Sequence, residues 1–580
     1  MNQFPSPFPS RLGLSRLGYF LSSPLAHLWL WLNSSRRSQR GWKFWGLMLA
    51  CGWLVVACQG GTPTGQSSPA AGGDAGASDR IILGTTSKIR TLDPADSYEI
   101  LSGNLLYNLG DRLYTNKLGS ADLEPQLATA LPTISPDGRT YTIPLREGVT
   151  FHDGTPFDAK AMAFSLQRFM DNEGQPSFLL RNVVESVAAT GDYELTITLK
   201  NPFAAFTALL SFPGLCAVSP TAYAQGDQFQ AETFVGTGPY RLAAVTPDSV
   251  RLDRFEDYWG TAASNSGVDL QIFSSGANLF NALTTGAVDV AYQSLDPDQI
   301  AKLQEEAAGG KIQAVAGEGL GIHYLVVNVR SAPLDQKPVR QALASAFDRE
   351  LLAERVFQNQ VQPLYSLVPS LLPSSRPAFS EAFGTGNQAE KALALLKTAG
   401  YSPSQPLTID FWYRSNISSN ALAATTLKAM VDERLGGAMV LNLQGVESAT
   451  AYENLDKGAY PLFLLDWAPD YLDPDNYLEP FLSCEQGSEA TGCTDGASQY
   501  QGSFFYSDRA NTLIQQQRQT QDPAQRQALL EELQTLVADE VPFIPLWANR
   551  EYLFGQTTIQ NLALQPTQQV ALWPLEKAQP

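Results

Sequence analysis

Histidine, thiols and positive charge are all scarce in this sequence. Its 580 residues hold 3 histidines, of which only His152 and His323 lie beyond the N-terminal region. That leaves little material for a His-rich metal site, and no metal or cofactor is expected. No H-E-x-x-H, C-x-x-C, G-x-S-x-G or Walker loop occurs, so the chemistries these motifs carry lack their central residues. Gly317-Glu318-Gly319-Leu320-Gly321 has neither the spacing of a nucleotide loop nor a following helix, and it reads as a turn. Acid exceeds base by a wide margin. Residues 1–57 hold 6 of the 39 basic residues and none of the 58 acidic ones, which leaves 33 basic against 58 acidic and a net charge of −25. Such a surface repels phosphate backbones, so nucleic acid is not an expected partner. No repeat of fixed period is visible, which argues against a solenoid.

The apolar fraction of 44% and charged fraction of 17% are those of a folded globular protein long enough for several lobes. Arg36, Arg37, Arg40 and Lys43 precede an apolar stretch from about Phe44, too short to span a bilayer well. It ends in Leu54-Val55-Val56-Ala57-Cys58. A small residue before the cut and a cysteine after it resemble the lipobox of bacterial lipoproteins. That implies a signal peptide over 1–57, lipidation of Cys58, and a protein tethered to the outer face of a membrane. Residues 58–78, rich in Gly, Ser, Pro, Ala and Thr, read as a flexible tether. Of the 5 cysteines, Cys484 and Cys493 enclose a polar, glycine-bearing loop and in an exported protein read as a local disulfide. Cys216 reads as a small buried residue.

Beyond the tether, strands and helices alternate, which predicts α/β lobes. Strands are expected at Arg80–Thr85, Thr140–Leu145, Glu194–Leu199 and Leu407–Trp412. Helices are expected over Gly103–Leu113, after an Asp158 N-cap, over Val339–Phe357 as one amphipathic run, over Ala389–Thr398 closed by Gly400, and over Leu529–Val537.

Several motifs then follow one another in register. They are Ser135-Pro136-Asp137-Gly138, Phe151-His152-Asp153-Gly154-Thr155-Pro156-Phe157, Phe164-Ser165-Leu166-Gln167-Arg168, Gly236-Thr237-Gly238-Pro239-Tyr240, Asp257-Tyr258-Trp259, Val339-Arg340-Gln341-Ala342-Leu343 and Trp467-Ala468-Pro469-Asp470. Together they closely resemble the family 5 solute-binding proteins of ABC importers, the group of the dipeptide and oligopeptide receptors. The resemblance implies a class II periplasmic-binding-protein-like α/β fold, with two main lobes closing about a hinge and an extra inserted lobe. Lobe I would comprise 79–119, 201–321 and a C-terminal return over 547–580. The inserted lobe II would take 120–200 and lobe III 322–546, with hinge strands near Gly321 and Leu546.

The same resemblance implies a monomeric, non-enzymatic receptor that delivers peptides to a permease and ATPase complex. In peptide receptors of this family an aspartate shortly after the tryptophan meets the peptide α-ammonium, and the matching residue here is Asp470. A cation that loses its water in an enclosed site needs such a charge-assisted partner. Asp473 and Asp475 are expected to shape turns around Pro474. Trp467 and Tyr471 would form pocket walls, and Arg414, after the Leu407–Trp412 strand, would hold the peptide carboxylate. Its spacing from the tryptophan is shorter than in the dipeptide receptors. His152 and Arg340 are expected to be structural. The same receptor class also serves nickel chelates, opines and sugars; an exported hydrolase or a structural lipoprotein are the rival classes.

Overall fold

A computed structural model describes residues 79–578 except 226–227 and 293–294. The signal, Cys58 and the tether lie outside the described residues. No helix among the described residues is long and apolar enough to cross a membrane.

One mixed sheet of eleven strands organises the molecule. From one edge it runs Met439–Val446, Leu407–Arg414, Leu462–Trp467, Ile312–Val327, Phe543–Gln556, Val290–Tyr292, Ile81–Thr85, Gly267–Ile272, Ser249–Arg254 and Tyr240–Thr246, with Val361–Pro363 added against Phe543–Gln556. Its two central strands are 16 and 14 residues long and pair antiparallel from Ile312–Gln556 to Val326–Phe543. Every residue from Leu320 to Val327 is buried, as expected of a strand covered on both faces.

The Gly317–Gly321 segment is therefore not a turn. It continues the long strand, and the ladder shifts register between Glu318 and Ile322. Glycine is needed there for close approach. A Cβ on Gly319 would stand 2.8 Å from the Asn549 carbonyl oxygen, and one on Gly321 2.9 Å from Asn549 Nδ2.

A second sheet, ordered Thr133–Ile134, Thr140–Pro144, Glu194–Leu199 and Val184–Gly191, alternates buried and exposed side chains along Glu194–Leu199. Helix Ala159–Asp171 covers it, with Asp158 capping its first turn by accepting the Ala161 N–H at 2.8 Å. The apolar core behind this sheet takes in Leu113 and Tyr114 ahead of it, Phe203 to Ala217 after it, and Tyr471 from far along the chain.

The run Val339–Phe357 forms two helices, Lys337–Ala346 and Arg349–Phe357. Phe347 and Asp348 are extended, and the Asp348 carboxylate caps the second helix at the Leu351 N–H while pairing with Arg434 at 3.0 Å. The cap supplies the second helix with a partner for one of its free first-turn N–H groups. The expected Gly103–Leu113 helix lies at Ile100–Leu109, and Leu529–Val537 is the middle of a longer helix, Pro523–Glu540.

Most of the motif residues serve packing. Arg168 grips Asp93 with two bonds, 2.7 and 2.6 Å, at side-chain exposures of 2% and 0%. The same carboxylate also accepts the Ala95 and Gln230 backbone N–H groups. Thr237, Tyr258 and Trp259 all donate to Asp111. His152 bonds the Gly238 carbonyl at 3.0 Å, and burial pushes its pKa down to about 4. Arg340 donates to the carbonyls of Glu540, Leu334 and Asp335. Removing one member of a buried pair strands the other charge. Asp93→Ala should therefore cost about 3–5 kcal/mol, read as a loss of denaturation midpoint by urea titration.

Candidate functional site

Beside the central strand Ile312–Val327, at Leu320, lies a cleft that is partly open to solvent. One wall comes from the turn and helix start at Ser97–Ile100, from Ser211–Gly214 and from Thr567–Gln569. The opposite wall is the loop Ala468–Leu472, which leaves the sheet at the end of strand Leu462–Trp467, and Leu320 reaches in from the central strand.

Asp470 stands on that second wall. Its Oδ1 accepts a 2.7 Å hydrogen bond from the Tyr98 hydroxyl on the first wall, and its backbone N–H donates to Asn476 Oδ1 at 2.8 Å. Among the described residues no cation pairs with it. Burial is the main influence on the carboxyl and pushes its pKa up to about 6, although Tyr98 and Asn476 pull the other way. Glu99, the other carboxylate in the lining, is neutralised by Arg90 at 2.6 Å. No Lys, Arg or His appears among the described lining residues.

The loop that presents Asp470 is rigidly held. Asp473 accepts the Asp475 N–H at 2.8 Å and two bonds from Arg526 at 2.8 and 2.6 Å. Asp475 is fully buried and accepts from Tyr471, from Gln517 and twice from Arg518, at 2.9 and 2.7 Å. Burial alone would raise the Asp475 pKa, but the two arginines and Gln517 hold it below the ordinary carboxylate range. Tyr477 closes the loop by donating to the Leu320 carbonyl at 2.8 Å.

Of the residues singled out from the sequence, Asp470 and Tyr471 meet at the cleft. Tyr471 also packs against Phe203 at 6.2 Å. Trp467 does not line it; the indole stands edge-on to Phe481 at 5.4 Å. Arg414 is also elsewhere. It is the last residue of its strand, buried to 3% exposure, ion-paired with Asp466 and bonded to the Tyr452 hydroxyl at 2.6 Å. Its charge is thus spent inside the protein, because Leu407–Arg414 and Leu462–Trp467 are adjacent parallel strands that end side by side. Cys484 and Cys493 form a disulfide, and Cys216 is buried.

Two contributors carried no local signal in the sequence. Tyr98 meets a partner 372 residues away. Glu551, on the central strand Phe543–Gln556, is pushed up to about pH 7 by burial and accepts a 2.7 Å bond from the cleft residue Gln568. His323 is stacked on Trp547 at 4.4 Å, and burial, then Arg414, lowers its pKa to about 3. Among the described residues no group of His, Cys, Asp and Glu is placed to hold a metal ion.

A cleft beside the long central strands of one sheet has the form of a receptor that folds around a solute. Comparison with known proteins gives that class its family. The model of the bacterial extracellular solute-binding proteins, family 5 (middle region), matches residues 122–489, more than half of the chain, and the chain belongs to this family. Its members are extracytoplasmic transport receptors, not enzymes. The chain is 27% identical over 486 residues to the glutathione-binding protein GsiB of Shigella flexneri, covering 80% of this chain and 88% of that one. Among solved structures it resembles HbpA2 of Haemophilus parasuis, with 23% identity, TM-score 0.75 and coverage of 86% and 100%. It also resembles a Pseudoalteromonas dipeptide-binding protein in complex with Met-Leu, with 22% identity, TM-score 0.69 and coverage of 86% and 99%. Both structural likenesses are likenesses of fold.

The raised Asp470 pKa has a stability consequence with a definite sign. Between about pH 4 and 6 the folded chain keeps a proton that the unfolded chain releases. This group therefore favours folding at low pH and loses that contribution as pH rises through about 6. Asp470→Asn should be more stable than the parent at pH 7 by roughly 1–2 kcal/mol, allowing for water in the cleft, and no more stable at pH 4. Thermal melts at the two pH values check this; a variant less stable at pH 7 would mean that the carboxylate is already compensated.

Proposed function

We propose that the protein captures short peptides by their free α-ammonium group and delivers them to the permease and ATPase of an ABC importer. The observation that carries this reading is the Asp470 carboxylate, enclosed in the interlobe cleft without a cation. An ammonium entering the cleft supplies the missing charge and receives a charge-assisted hydrogen bond in return. Nearly every peptide has this group, so the anchor is independent of side-chain sequence. The names of the relatives that bind glutathione and Met-Leu are in keeping with it, since both compounds carry a free α-ammonium.

The lining leaves the other end of the ligand to neutral groups. Asn116, Ser211, Gln568 and Gln569 offer donors and acceptors for peptide amides, directly or through water. With Arg414 committed to Asp466, the ligand carboxylate is left to these groups and to solvent. The lobes 79–119, 201–321 and 547–580 on one side and 322–546 on the other would close by flexing the two central strands, and the closed form would be read by the permease. The receptor would act as a monomer held at the membrane by a lipid on Cys58.

A thermal-shift screen tests the reading. Protein beginning at Asp79 is unfolded and refolded to strip carried ligand, then melted with Met-Leu, glutathione, tri- to hexapeptides, nickel-histidine and sugars. Free-amine peptides should raise the melting temperature of the parent. Their N-acetylated forms should not, and Asp470→Asn should lose the response. A shift with nickel-histidine or sugar alone would overturn the peptide reading.

A further inference from the structure

Asp470 is presented from one half of the molecule, and the group bonded to it comes from the other. Tyr98 lies just ahead of helix Ile100–Leu109 and reaches across the cleft to donate to Asp470 Oδ1 at 2.7 Å. Its ring is fixed by Phe178, edge-on at 6.0 Å, and by Phe212 at 6.4 Å. Burial, and then the Asp470 charge, keep its phenol well above the ordinary range. It is therefore a neutral hydroxyl that gives its one proton to the carboxylate. A hydroxyl that donates still has oxygen lone pairs to accept with, and a carboxylate accepts about four hydrogen bonds. The hydroxyl and the carboxylate thus both keep accepting capacity where they meet in the cleft.

We propose that Tyr98 is the second half of the cation subsite: its hydroxyl oxygen and the Asp470 carboxylate each accept an N–H from one ligand nitrogen, so that a single ammonium ties the two walls together. This rests on the peptide reading and sharpens it, because the site then selects for N–H donors and not for positive charge alone. A primary ammonium with three N–H groups satisfies both acceptors. A quaternary trimethylammonium of the same charge satisfies neither. Tyr98 is thereby a specificity-determining residue, and closure is coupled to the chemistry of the ligand's head group.

The test compares trialanine with its N,N,N-trimethyl and N-acetyl forms by calorimetric titration of the parent and of Tyr98→Phe, which keeps the ring and its packing. The parent should bind trialanine at least about tenfold more tightly than the trimethylated form. Tyr98→Phe should lose about tenfold for trialanine, the worth of one hydrogen bond to a charged group, with no change for the trimethylated form. Equal losses for both probes would mean that Tyr98 only steadies Asp470, and would overturn the inference. So would parent affinities that do not distinguish the two. Failure of trialanine to bind at all, or equal binding of the N-acetyl form, would overturn the ammonium anchor itself and this inference with it. The two readings therefore fail by different results.

Discussion

A carboxylate enclosed without a cation is costly, and the arrangement around Asp470 follows from carrying that cost. Desolvation disfavours the ionised form, and the hydrogen bond from Tyr98 only partly offsets it. The empty protein therefore holds a group whose environment improves when a cation arrives.

That state persists because the surrounding loop is over-determined. Within six residues the chain carries three aspartates with three different fates. Asp473 is tied to Arg526, Asp475 to Arg518, and Asp470 has no cation beside it among the described residues. The first two pairs fix the loop backbone from which the third carboxylate projects. The same anchoring links the loop to the segment that follows the smaller sheet. Arg518 lies over the Phe203 ring at 4.8 Å, and its carbonyl accepts the Ala204 N–H at 2.7 Å. Tyr471 packs into the core behind the smaller sheet.

Local rules explain how much of this could be read from the sequence. The Asp158 cap, the strand at Glu194–Leu199 and the helix at Ala389–Thr398 depend on neighbours a few residues away and were legible. The break at Phe347-Asp348 was not, because apolar periodicity continues through it and its reason, the pairing of Asp348 with Arg434, is tertiary. The glycines of 317–321 look like turn residues but serve the close crossing of two long strands. Only family resemblance distinguishes Asp470 in the sequence, since nothing in its own neighbourhood separates it from Asp473 and Asp475. Arg414 could not be placed without the strand order that sets it beside Asp466, nor could Tyr98 without the fold that brings it across the cleft.

If the ligand ammonium compensates Asp470, binding releases protons, and calorimetry reads that release. Titrations of Met-Leu and glutathione at pH 6, in buffers of different ionisation enthalpy, count the protons that leave. If Asp470 is about half protonated when empty, at its pKa of about 6, and ionised in the complex, binding should release roughly half a proton. The release should fade toward pH 8 and vanish in Asp470→Asn. Binding at pH 6 with no dependence on the buffer would rule this compensation out, because the carboxylate would then have been ionised before the ligand arrived.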